Sequence, residues 1–173
     1  MVETRHDGSA GAGEERVALV PGQIASHTSC LLMKLGQVAY RLQEDRLDDL
    51  DLRVRHFSVL QGLSDEGPIG QLELARYLRI DPATMAVVLD QLEKRGAVSR
   101  ERSQQDRRRY IVALTQAGKG LLKEANRSLD EIDVLLRTDL GDEQSQTLHE
   151  VLLGLSASPA LIDAFGKAGQ IRS

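Results

Sequence analysis

Between residues 80 and 114 an apolar-faced helical pattern runs directly into two arginine-dense alternating segments, an order that leaves few folds open. Asp81-Pro82 is a strong helix start. The aspartate can accept a free N–H of the first turn, and proline at the first helical position loses no bond. Met85, Val88, Leu89 and Leu92 recur at helical spacing, and Gly96 supplies a C-terminal cap. Residues 97–102 then alternate, Ser103-Gln104-Gln105-Asp106 is a polar turn, and 107–114 alternate again. Alternation in two arms around a short polar turn predicts a β-hairpin.

The flanking pattern predicts a mainly α chain with this small β-hairpin as its wing. A helix is expected over 23–47, with Ile24, Leu31, Leu35, Val38 and Leu42 on one face and Leu32 and Ala39 widening it. A second spans 53–63, carrying Val54, Phe57, Leu60 and Leu63, and ends at Asp65-Glu66-Gly67-Pro68. A short third, 70–78, presents Leu72, Leu74, Ala75 and Leu78, and Arg79-Ile80-Asp81 joins it to the helix that starts at Pro82. Two short helices joined by about three residues and followed by a hairpin make a winged helix-turn-helix, whose second helix enters the major groove of DNA. Beyond the hairpin, 115–137 carries Leu121, Leu122, Ala125, Leu129, Ile132 and Leu136, and 142–155 carries Leu148, Val151, Leu152 and Leu155. Residues 159–165 add a turn or two. The expected layout is a disordered tail over 1–22, a DNA-binding domain over 51–114, and a helical dimerisation region over 23–50 and 115–173.

Charge agrees with a polyanion as partner. The 173-residue chain is slightly acidic, at −4 with 26 acidic against 22 basic residues. From 94 to 109, Lys94, Arg95, Arg100, Arg102, Arg107, Arg108 and Arg109 face only Glu101 and Asp106, a net +5 that leaves −9 for the rest. One concentrated basic projection on an acidic protein directs a polyanion to a single place. Lysine would serve for solubility alone, whereas arginine is the residue that reads phosphates and base edges.

Other classes are disfavoured. No nucleophile-base-acid set, glycine-rich phosphate loop or Cys/His metal set is legible, so neither an enzyme nor a bound cofactor or metal is expected. The lone Cys30 cannot form an internal disulfide, and no apolar run has membrane-spanning length, so a cytoplasmic protein is expected. A winged-helix module that docks proteins and does not bind DNA is the alternative from another class.

Two stretches resemble the MarR (multiple antibiotic resistance regulator) family of bacterial transcription factors. One is Asp106-Arg107-Arg108 followed by Val112-Ala113-Leu114-Thr115. The other is Leu89-Asp90-Gln91-Leu92-Glu93-Lys94-Arg95-Gly96-Ala97-Val98. The resemblance covers roughly residues 24–155 and implies a two-fold dimer, joined through the terminal helices, that binds a pseudo-palindromic operator as a repressor released by a small ligand or by oxidation. The implied DNA contacts are Ala83, Thr84, Ala86, Val87, Gln91 and Lys94 on the recognition helix, and Arg100, Arg102, Asp106, Arg107, Arg108 and Arg109 on the wing. Val87 and Gln91 stand where the family often has arginine or another long polar residue. Val87 can pack on a thymine methyl, and Gln91 can bond adenine or a phosphate. Asp106 can hold the Arg108 guanidinium, or bond its own backbone in the turn.

Two regulatory readings follow from the same resemblance. Cys30 lies near the reactive cysteine of the hydroperoxide-sensing branch, which would make this a thiol-based oxidant sensor. The supporting tyrosines of that branch correspond here to Val54 and Phe57, which cannot donate a hydrogen bond to a thiolate. Cys30 is then a small apolar filler at a helix interface, and the reading chosen over oxidation is a small anionic organic ligand held in a cleft by Arg41, Arg53 and His56. The local alternative leaves Arg53 and Arg55 in solvent, with His56 capping or packing where it stands.

Overall fold

A computed structural model describes residues 18–102 and 109–170, with side chains as far as residue 166 in the last helix. Its contacts divide the chain into two compact units, 1–40 and 41–173. In the first unit a 3-10 turn, Gly22–Ser26, precedes helix α1, Thr28–Asp48, which runs on into the second. The single helix expected from residue 23 is thus broken at His27. There the backbone is extended, and the Ser26 hydroxyl donates to the Gln23 carbonyl at 2.6 Å, a local bond that competes with helix formation. Ile24, Leu32, Met33 and Leu35 are exposed.

The second unit contains α2 (Val54–Glu66), β1 (Ile69–Gly70), α3 (Gln71–Tyr77), α4 (Pro82–Lys94), β2 (Val98–Arg102), β3 (Tyr110–Leu114), α5 (Gln116–Leu140), α6 (Asp142–Ser156) and α7 (Pro159–Gln170). Asp81 caps α4 as its sequence requires, accepting the Thr84 N–H at 2.9 Å with Pro82 behind it. Gly96, at φ +69°, follows the last helical turn in the left-handed region. The sheet is antiparallel in the order β1-β3-β2. Val98 lies opposite Leu114 and Arg102 opposite Tyr110, while Ile69 opposes Val112. β1 is the element sequence periodicity does not reveal, because two residues carry no period.

Leu47, Leu52, Leu60, Leu74, Met85, Leu89, Leu92 and Val112 are fully buried, so α2, α3, α4 and the sheet close over one aliphatic core. Leu72, expected inward, is 55% exposed. The corner between hairpin and α5 is fixed by Thr115. Its N–H donates to the Ala97 carbonyl at 3.1 Å, and its hydroxyl donates to the Gly96 carbonyl and accepts the Gly118 N–H. α5 runs three residues past its expected end, and α7 reaches twelve residues where a turn or two was expected. Val134, Leu135, Leu136, Leu148, Val151, Leu152, Leu155, Leu161, Ile162 and Phe165 are all exposed in the single chain.

Candidate nucleic-acid interface

The core face of α4 uses Met85, Val88, Leu89 and Leu92, which leaves Ala83, Val87, Asp90, Gln91 and Lys94 to form its outer face. Val87 is 57% exposed, an isolated apolar side chain in a stripe of small and polar ones. Thr84 and Ala86 flank that stripe, half-buried. The absence of bulk at 83 and 86 allows the helix backbone a close approach to a flat or grooved surface.

The arginines of the hairpin divide into different roles. Arg100, expected among the DNA contacts, is bound within the protein. Its guanidinium donates to Glu93 and Asp90 on α4, with Nε at 2.9 Å from Glu93 Oε2. Its side chain is only 20% exposed. The bonds to Glu93 first, then Asp90, raise its pKa further against partial burial. Arg100 therefore clamps β2 onto α4 and neutralises two carboxylates on that helix. Arg109 is drawn to α3, its Nη2 lying 2.7 Å from Glu73 Oε1. That bond and charge, together with the Gly70 N–H on the second carboxylate oxygen, hold Glu73 below the usual carboxylate range. Arg95 turns away from the hairpin, donating to the carbonyls of Leu50 and Asp51.

Arg102 is exposed, with its guanidinium 5.7 Å from the centre of the Tyr110 ring across the ladder. The ring thus steadies the charged head itself at the exposed edge of the hairpin. Asp106, Arg107 and Arg108, and with them the expected Asp106–Arg108 pair, lie outside the described residues. Among the described residues, the internal pairing at Arg95, Arg100 and Arg109 leaves Lys94 and Arg102 of the basic run for an outside partner. Sequence reasoning did not single out Glu73, Asp90 or Glu93. The signal for the last two was present, as carboxylates three residues apart on one helix face just before a strand arginine.

Of the residues proposed for an effector cleft, Arg53 and His56 come together at the start of α2. Arg53 pairs with Asp48 at 3.1 Å and Glu44 at 3.4 Å, and Glu44 also accepts the Val54 N–H at 2.9 Å. His56 Nδ1 accepts the Arg53 N–H at 3.0 Å, capping the helix, and Nε2 lies 2.7 Å from Gln91 Oε1 on α4. Arg41 is exposed on α1. Cys30 is a free, half-buried thiol. Among the described residues, no group of His, Cys, Asp and Glu is placed to hold a metal, and no single helix is long and apolar enough to cross a membrane.

Residues 52–110 match the MarR family. Solved structures of the same fold include wild-type apo MarR from E. coli, at 25% identity and a TM-score of 0.67 over 75% of this chain and 96% of that one. A probable transcriptional regulator from Pseudomonas aeruginosa is 27% identical, with a TM-score of 0.68 over 77% of this chain and 99% of that one. The transcriptional repressor CouR, solved bound to a 23-mer DNA duplex, is 26% identical, with a TM-score of 0.72 over 78% and 96% of the two chains.

Proposed function

We propose that this chain, a MarR-family transcriptional regulator, is a homodimeric cytoplasmic repressor that binds a pseudo-palindromic operator and is released by a small anionic organic molecule. The observation that carries the DNA reading is the outer face of α4. It is small and polar apart from Val87, is relieved of its own carboxylate charge by Arg100, and leads directly into a hairpin on which Arg102 is exposed. The likeness to a repressor solved on duplex DNA supports the same reading. α4 enters the major groove and positions 83, 84, 87 and 91 beside bases, while Lys94 meets phosphate. Arg102, Arg107 and Arg108 reach the adjacent minor groove, where a narrow groove concentrates negative potential.

Dimerisation is supported by the apolar rows that α1, α5, α6 and α7 leave exposed, more than a stable monomer normally leaves in water. The division of labour follows: 51–114 binds DNA, 23–50 and 115–173 join the protomers, and 1–22 is a tail. Two recognition helices related by a two-fold axis read half-sites about one helical turn apart.

The effector reading rests on Arg41, Arg53 and His56. A ligand carboxylate there competes with Glu44 and Asp48 for Arg53, and it releases DNA only through unequal affinity for the two dimer states. Selection of duplexes from a random pool, with light scattering on the recovered complex, tests the proposal. A two-fold symmetric consensus bound by two protomers is expected. A monomer at micromolar concentration, or no enrichment, would overturn it.

A further inference from the structure

The hydrogen bond between His56 and Gln91 joins the first turn of α2 to the outer face of α4. Its direction is set by the other ring nitrogen. Because Nδ1 accepts the Arg53 N–H, the neutral ring carries its proton on Nε2, which donates to the Gln91 amide oxygen. Arg53 is itself held by Glu44 and Asp48, and Glu44 also takes the Val54 N–H, so the ring stands on a fixed turn. A glutamine on an exposed helix face otherwise samples many rotamers and loses that freedom when it binds. Here its oxygen is anchored against the protein, leaving the NH2 group as the available end.

We propose that His56 is a positioning residue for base reading, holding Gln91 so that it offers a hydrogen-bond donor to the major groove. The base opposite must then present an acceptor: a purine N7, guanine O6 or thymine O4. Cytosine, whose edge offers only the N4 donor, is discriminated against. This rests on the reading of α4 as the helix in the major groove.

The test is duplex selection by the full-length protein and by Gln91→Ala, His56→Asn and His56→Gln, with thermal melts of each. Asparagine places an oxygen near Nδ1 and keeps the helix cap but does not reach Gln91. Glutamine places a donor near Nε2 and gives up the cap. Gln91→Ala is expected to lose the bias against cytosine at one position of each half-site. His56→Asn should weaken that same bias about fivefold or more while melting near wild type, and His56→Gln should restore it. If the wild-type protein enriches no consensus, the premise falls; if it does and Gln91→Ala selects the same sequence, Gln91 reads no base and the proposal alone falls. If Gln91→Ala loses the bias and folded His56→Asn keeps it, the premise stands and the role of His56 is refuted. Should His56→Asn fail to fold, loss of the bias in folded His56→Gln overturns the proposal, and its retention there supports it.

Discussion

Replacing Gly118 with alanine places a methyl group where the hairpin meets α5. The added Cβ would stand 2.0 Å from the Ala97 carbonyl oxygen, 2.9 Å from its carbonyl carbon and 3.2 Å from Leu114 Cδ2. The obstruction is backbone, and that carbonyl already accepts the Thr115 N–H, so it cannot retreat without loosening the corner. Overpacking of this kind costs about 1–3 kcal/mol, with the upper end appropriate to an immovable neighbour. The better helix propensity of alanine returns up to about 1 kcal/mol. The net loss is about 2 kcal/mol, which lowers the melting temperature of a chain this long by roughly 4–8 °C. Gly120→Ala is the internal control. Nothing lies within 4 Å of its added Cβ, so it should gain about 0.5–1 kcal/mol and melt slightly higher. Thermal melts followed by circular dichroism, at one fixed protomer concentration, compare the two. Gly118→Ala melting at or above wild type would refute the packing argument.

Glu73→Gln should flatten the acid side of the stability profile. Because the folded pKa of Glu73 is depressed below its ordinary 4.5, its contribution is present above that value and disappears as pH falls through the folded one. Urea midpoints of wild type and variant should therefore differ at pH 7 and converge in acid; parallel profiles would contradict the Arg109 pairing. Arg100→Ala should cost on the order of 1 kcal/mol of stability and also weaken DNA binding, because Asp90 and Glu93 then face phosphate unpaired. Rescue of affinity by adding Asp90→Asn would support that origin, and an unchanged affinity in Arg100→Ala would remove it. Cys30→Ser should respond to anionic ligands as wild type does, measured by gel shift, and organic peroxide should release neither protein. Peroxide release of wild type alone would make this a thiol sensor.

The helix-turn-helix was legible because its core residues are close in sequence and periodic: Met85, Val88, Leu89 and Leu92 are all buried. The start of α4 was equally legible, since Asp81-Pro82 acts within one turn. What sequence could not separate was the fate of individual arginines. Arg100 and Arg102 are two residues apart on one strand and so share a face, yet only Arg100 is paired with the carboxylates of α4. A charge count over 94–109 cannot register neutralisation by Glu73 or by the turn after α1, because those partners are distant in sequence. Gln91 was read as a base contact, and its hydrogen bond to a histidine thirty-five residues earlier depends on tertiary packing. The apolar rows of α5 to α7 were visible as periodicity, but within one chain they remain exposed.

The central claim is that α4 and the hairpin grip duplex DNA through a small set of outward cations. The most direct measurement is the equilibrium affinity for a selected duplex across a series of salt concentrations, for wild type and for Arg107→Ala with Arg108→Ala. Wild type is predicted to show log K falling linearly with log salt over several units of slope, with the double variant shallower by about two and weaker throughout. An affinity insensitive to salt, or an identical slope in the double variant, would contradict the account.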